Sequence, residues 1–312
     1  MINGRIRVNR AHYMAQVDLL LDCLPVLKEQ NSFVLKGGTA INFFIHDLPR
    51  LSVDIDLTFI KTLQREQAIA EIESALQSMG ERIVRRNRRY HVKELHTKEG
   101  VLHKLVISNG NVRVKIEPNF IMRGTLLPTT LMDVKPSVER EFERDIKQIP
   151  LLSMSELYAG KLCAALSRQH PRDLFDIKKL MENHGLTREI RESFVIYLVC
   201  SPRPIHELLQ PNRISLNQVY ENEFINMTED VIALEELLMI RDQLVHAINA
   251  QLSDNERQFI LSVKKGKPDY SLMPFNQLEE LPALKWKLIN IQRMNKSKHA
   301  TMLKKLESVL AV

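Results

Sequence analysis

The 312 residues predict an α+β protein of two parts. Three observations carry that expectation. Apolar runs of strand length are confined to the stretch between Phe33 and Phe120. The turn Ser108-Asn109-Gly110-Asn111 contains Asn-Gly, a strong hairpin signal, so the runs on either side of it are expected to pair antiparallel. From Ser153 onward apolar residues recur only at helix spacing. The expected architecture is a mixed sheet flanked by helices over residues 1–150, followed by a mostly helical domain over 151–312.

Taken in order, His12 to Gln30 carries Val17, Leu20, Leu21, Leu24 and Leu27 on one helical face. Phe33-Val34-Leu35 reads as a short buried strand. Gly37 and Gly38 follow Lys36 and permit a tight turn that brings bare backbone N–H groups close to a ligand. Thr39 is placed to cap a helix over Ala40 to Asp47, and a helix N-terminus preceded by glycines suits a phosphate. Leu51 to Phe59 alternates apolar and polar residues, the period of a half-buried strand, which projects Asp54 and Asp56 from one face. Two carboxylates that close call for a cation between them, and a divalent metal with oxygen ligands is the usual answer. Gln64 to Met79 reads as a helix ended by Gly80. Three strands are expected next, at about Arg82 to Leu95, Leu102 to Ser108 and Val112 to Phe120. In the last, Arg113, Lys115 and Glu117 share the polar face.

Gly124 to Pro150, with Pro128, Pro136 and Pro150, reads as a connecting loop with one short helix. Ser153 and Glu156 form a capping-box pattern that opens a helix to about Gln169. Pro171 interrupts, and Asp173 to His184 resumes. Later helices are expected at Thr187 to Cys200, Thr228 to Ala250, Asp254 to Lys265 and Pro282 to Leu310, with Ser201 to Asn217 irregular.

Composition places limits on function. Hydrophobic content of 44% and charged content of 26% are ordinary for a globular protein. No apolar run approaches the roughly twenty residues that span a bilayer, and basic Met1 to Arg10 has no apolar core behind it, which argues against a secretory signal. Cys23, Cys163 and Cys200 are odd in number and widely spaced, and read as reduced thiols of a cytoplasmic protein. The net charge is +6, and the segment from Leu281 carries seven basic residues against the single acid Glu307. A second basic cluster comprises Arg82, Arg85, Arg86, Arg88, Arg89 and Lys93. Either cluster is an electrostatic footprint for a polyanion or a solvated face.

The order strand, Gly-Gly-Thr, helix, strand with paired aspartates describes a metal-dependent phosphate-handling site. Lys36 to Asn42 and Arg50 to Leu57 resemble the paired signatures of the AbiEii/AbiGii-type toxin nucleotidyltransferases, within the minimal nucleotidyltransferase fold of the DNA polymerase beta superfamily. The stretch from Lys161 to Asp176 resembles that family's second motif. By itself it reads as a buried ion pair in which Lys161, Arg168, Arg172, Asp173 and Asp176 hold two helices together.

The resemblance implies transfer of an NMP from an NTP to a hydroxyl acceptor, with release of pyrophosphate. Asp54, Asp56 and Lys161 would be catalytic, together with an aspartate that is either Asp173 or Asp176, the helical domain contributing these last residues to the cleft. Asp54 and Asp56 would hold Mg²⁺ or Mn²⁺. Glu117 would be a third metal carboxylate, unless it pairs with Lys115 or Arg113. Lys36, Gly37, Gly38, Thr39 and Ser52 would line the triphosphate seat, and Arg172 would orient an aspartate or clamp phosphate. Ser52 would also be a place where phosphorylation silences the enzyme. The implied partners are an RNA acceptor, the tRNA 3′ end, and a cognate antitoxin in a toxin–antitoxin or phage-defence pair. The alternatives are a protein or small-molecule acceptor, and a non-catalytic nucleic-acid-binding module on the same fold.

Overall fold

A central sheet organises the first part of the chain. In the computed structural model, which describes residues 2–229 and 231–311, the chain forms two compact units: Met1–Ser153 with Glu223–Val231, and Met154–Asn222 with Ile232–Val312. In the first unit α1 (Ile2–Cys23) leads through a 3-10 turn (Leu24–Glu29) to β1 (Phe33–Lys36). Then come α2 (Gly37–Ala40), continued by one π-helical turn (Ile41–Ile45), β2 (Asp54–Phe59) and α3 (Arg65–Arg86). They are followed by β3 (His91–His96), β4 (Leu102–Ser108), β5 (Arg113–Asn119), β6 (Thr130–Met132), α4 (Pro136–Phe142) and β7 (Ile149–Leu151).

The sheet order is β3-β4-β5-β2-β1-β7-β6. β2 pairs antiparallel with β1 and parallel with β5, and β1 pairs parallel with β7, so the sheet is mixed. Apolar residues of the inner strands alternate onto buried faces: Ile55, Leu57, Val114 and Ile116 are at most 1% exposed. Phe33 and Phe59 are opposite each other in register, their rings 5.9 Å apart and edge-on. That geometry is worth somewhat more than the area it buries. The segment Glu223–Val231 returns to this unit: Met227 accepts a hydrogen bond from Leu51 N–H at 2.7 Å, and Glu229 pairs with Arg10 at 2.9 Å.

The second unit is helical: α5 (Met154–Arg168), α6 (Pro171–Asn183), α7 (Arg188–Cys200), α8 (Ile205–Leu209) and α9 (Asn217–Glu223), which ends at the return segment. It resumes with α10 (Leu234–Gln251), α11 (Asp254–Lys264), α12 (Pro282–Gln292) and α13 (Lys296–Leu310). α5 packs mainly on α7, and α6 packs equally on α5 and α10. Pro171 occupies the first position of α6, where its missing N–H costs nothing. Ser253 and Glu256 close a capping box on α11.

Several elements differ from the sequence expectation. α3 does not end at Gly80 but runs to Arg86, so Arg82 to Arg86 are helical and the strand starts only at His91. Gly80 is there for close packing: an added Cβ would lie 3.2 Å from Val92 of β3. β6 and β7 occupy part of the stretch read as loop, and α8 lies within the stretch read as irregular. The final helix is two, because Asn295 breaks the run and caps α13 by accepting from the N–H groups of Ser297 and Lys298. α10 starts at Leu234, six residues later than the pattern suggested. Cys23, Cys163 and Cys200 are free thiols, and burial pushes those of Cys23 and Cys200 up to about 12. Among the described residues no helix is long and apolar enough to cross a membrane.

Candidate functional site

The chain turns from β1 into α2 at Gly37, whose φ of +76° is a left-handed conformation that disfavours any residue with a Cβ. Space forbids a Cβ as well. One built on Gly37 would fall 2.3 Å from Oδ2 of Asp56, so the bare backbone of the turn lies directly against that carboxylate. One on Gly38 would fall 2.8 Å from both the Arg50 guanidinium and the Ser52 hydroxyl. Both glycines are therefore needed for close approach.

Thr39 is not the helix cap that its position suggested. Lys36 occupies that place with extended backbone and no side-chain cap bond. Thr39 lies inside α2, fully buried, and its hydroxyl donates to the main-chain carbonyl of Asp54 at 2.6 Å. It is also within hydrogen-bond distance, 3.1 Å, of the Ser52 hydroxyl. These bonds tie the glycine turn to the start of β2. Asn42 adds a brace by donating to the carbonyl of Gly38 at 2.9 Å.

Asp54 and Asp56 are half-buried on one face of β2. Register brings cations beside them: Lys36 is opposite Asp56 across the β1–β2 pair, and Lys115 is opposite Asp54 across the β2–β5 pair. Glu117 is the register partner of Asp56 on β5, and its carboxylate pairs with Lys104 of β4, a partner outside its own strand. Among the described residues no group of three His, Cys, Asp or Glu side chains is arranged to hold a metal ion. The two aspartates with the glycine turn nevertheless fit a hard divalent cation. Mg²⁺ commonly takes one or two carboxylates and completes its shell with water and substrate phosphates. The fit rests on the donor set: two half-buried carboxylates on one strand face, with the bare backbone of the glycine turn against one of them.

In the helical unit Lys161, Asp173 and Asp176 come together. The Lys161 ammonium lies 3.1 Å from Asp173 Oδ1 and 2.7 Å from Asp176 Oδ2, and the three side chains are 6%, 1% and 0% exposed. Burial pushes the Asp173 carboxyl up, but the charge of Lys161 and the bonds from Arg168 outweigh it and hold the group well below the usual carboxylate range. Arg168 reaches Asp173 with two bonds, of 2.6 and 2.9 Å. Arg172 stands at the start of α6, where its N–H donates to the His170 imidazole at 3.1 Å.

One residue near these groups has more to do than the sequence assigned it, and another makes the ion pair that the sequence expected. Arg50 is only 3% exposed, packs against Gly38 and donates to the carbonyl of Leu51. Its signal was a cation two residues before the Ser52-x-Asp54 pattern. Arg168, rather than the arginine next to the aspartate in sequence, makes the paired bonds to Asp173. The break between α5, which ends at Arg168, and α6, which starts at Pro171, brings it there.

Residues 18–290 match the protein family described as the nucleotidyl transferase AbiEii toxin, type IV TA system. The fold is similar to that of MenT4, a nucleotidyltransferase toxin from Mycobacterium tuberculosis H37Rv. The TM-score is 0.60 and the identity 16%, over 90% of this chain and 94% of that one. No curated protein matches the chain significantly in sequence.

Proposed function

The chain belongs to the AbiEii family of nucleotidyltransferase toxins of type IV toxin–antitoxin systems, and on that premise we propose that it moves an NMP from an NTP to a hydroxyl of an RNA, with Mg²⁺ held by Asp54 and Asp56. As a type IV toxin it takes an NTP and is paired with an antitoxin. The observation that carries the reading is the approach of the Gly37 backbone to the Asp56 carboxylate, which joins a seat for phosphate to a pair of acids.

In this reading the backbone N–H groups that open α2 donate to the phosphates. Lys36, beside Asp56, offsets charge on the triphosphate. Asp54 and Asp56 would hold the divalent metal, which when bound would supply positive charge to acidify the acceptor hydroxyl and to offset the charge of the leaving pyrophosphate. The acceptor oxygen bonds to the α-phosphorus as the bond to the α–β bridging oxygen breaks, and the hydroxyl proton leaves to water. The direct test is incubation with each labelled NTP, Mg²⁺ and total tRNA. Label on RNA with the unaltered chain, and none with Asp54→Asn, is expected. Label confined to protein or small molecules would overturn the RNA acceptor.

Gly37→Ala should lower transfer by about 10²-fold, the cost of misplacing a reacting group by an ångström. The left-handed backbone and the displaced Asp56 carboxylate should also cost about 1–2 kcal/mol of stability. Rate and melting temperature measured together check this. A variant as fast as the parent would mean that the glycine turn serves no phosphate.

The basic footprint is smaller than composition suggested, and this favours keeping a protein or small-molecule acceptor as the second reading. Arg82 and Arg86 both pair with Glu29. Lys287 donates to the carbonyls of Ser201 and Arg203, and burial pushes its ammonium down to about 8. Arg85, Arg88 and Arg89 are exposed. If they touch RNA phosphates, replacing all three with alanine should flatten the salt dependence of acceptor binding by roughly one unit of slope for each phosphate no longer neutralised. An unchanged slope would move the acceptor assignment to the second reading.

A further inference from the structure

The helical unit contains a cavity of about 630 Å³ between α10, the loop after α8 and the end of α13, with Gln169 on its wall. Its size falls in the range of small-molecule sites. Arg241 of α10 lines it, although the residue is only 8% exposed. The hydrogen bonds of this guanidinium all leave from Nη1, to Gln169 Oε1 at 3.2 Å and the carbonyl of Ile214 at 3.0 Å. Its Nε is buried without an acceptor. The nearest carboxylate, Asp242, stands 3.7 Å away and is engaged by Arg213 at 3.0 Å. This buried cation therefore has only a long ion pair, at 3.7 Å, to a carboxylate that it shares with Arg213, and buried charges are normally paired more closely.

A second unmatched group lines the same cavity. Asn249 spends its amide donor on the carbonyls of Leu209 and Val245, at 2.8 Å each, and its Oδ1 is buried without a donor. The walls between these groups are apolar, from Leu209, Pro211, Val245 and Val309. The α13 wall is held in place, because Arg257 donates both to the carbonyl of Leu310 at 2.6 Å and to that of Asn249 at 2.5 Å.

We propose that this cavity binds a small organic molecule with a phosphate or carboxylate on Arg241 and an N–H donor on Asn249 Oδ1. Arg213 and Arg241 against Asp242 leave one positive charge in the lining, which a single oxyanion neutralises. With only Nη1 hydrogen-bonded, the guanidinium keeps donors for either oxyanion. If Arg241 only anchored the 210–214 loop, its Nη1 bonds would suffice and a neutral donor would serve as well.

Calorimetric titration of the full chain tests this, with adenosine monophosphate as the probe and inorganic phosphate, acetate and adenosine as competitors. Saturable binding is expected, displaced by phosphate or acetate but not by adenosine at equal concentration. Phosphate and acetate distinguish the two oxyanion sources. Arg241→Gln, and Val309→Trp, which fills the cavity, should each raise Kd at least about tenfold, one charge-assisted bond's worth. Arg213→Ala should raise it less. Val309→Trp should leave nucleotidyl transfer unchanged, which separates this cavity from the triphosphate seat. If Arg241→Gln fails to fold, Val309→Trp and Arg213→Ala decide. The absence of saturable binding, or a Kd unmoved in both of those variants, would overturn the proposal.

Discussion

Asp54→Asn should abolish nucleotidyl transfer, by about 10³-fold or more, and leave the chain folded. The substitution keeps shape and removes one negative charge from the face of β2 that carries Asp56. Loss of a single electrostatic interaction at the reacting centre costs about 10²–10³-fold, and loss of a metal ligand adds to that. Stability should move the other way. Asp54 and Asp56 are half-buried like charges two residues apart, and relieving such a pair commonly stabilises a fold at the expense of activity. The melting temperature is therefore expected to stay level or rise by a few degrees. Transfer of label, its dependence on Mg²⁺ concentration, and a melting curve form the check. Near-normal turnover in both Asp54→Asn and Asp56→Asn would sink the metal assignment.

Lys161→Met should act in the opposite sense, on stability first. It removes the ammonium shared by two carboxylates that are 1% and 0% exposed. Breaking a buried ion pair from one side costs about 3–5 kcal/mol, which for a chain of this size lowers the melting temperature by on the order of 10 °C. The pH dependence has a defined sign. The Asp173 carboxyl is held low in the fold by Lys161 and Arg168, against the opposing effect of burial. Its stabilisation is therefore complete above the unfolded carboxylate value of about 4 and is lost as pH falls below it. In Lys161→Met the opposing effect of burial gains, and this acid loss should flatten or reverse. Urea unfolding at neutral pH and below pH 4 reads both effects. A variant that unfolds like the parent yet transfers no nucleotide would assign Lys161 to the chemistry instead.

The parts of this structure that were readable in the sequence share one property: local signals that agreed with the tertiary outcome. β4 lies over Leu102–Ser108 as expected, because its apolar alternation and the Asn-Gly turn point to the same hairpin. The glycine turn and β2 were legible because close approach and paired charge both leave marks on residue type. Where the reading failed, a local signal was outweighed by packing. Gly80 looks like a helix stop, yet α3 passes through it because Ile83 beyond it is buried and the missing Cβ admits Val92. β6 and β7 are three residues each and exist only through their pairing with each other and with β1, so no periodicity could announce them. Thr39 was assigned by its distance from the helix start, whereas its hydroxyl is used sideways, on the strand that carries the aspartates.

The return of Glu223–Val231 to the first unit bears on how the protein is made. During synthesis the residues that hold the glycine turn and both aspartates leave the ribosome early, but the carbonyl of Met227 that receives the Leu51 N–H, three residues ahead of Asp54, is supplied much later. At about 5–20 residues per second that interval is on the order of ten seconds. Through it, an exposed N–H beside β2 and an open flank on α1 remain in the nascent chain. The first unit is thus completed only after the first helices of the second unit have been translated. A transcript or chain cut short before Met227 yields a fragment in which this unit lacks one of its own pieces.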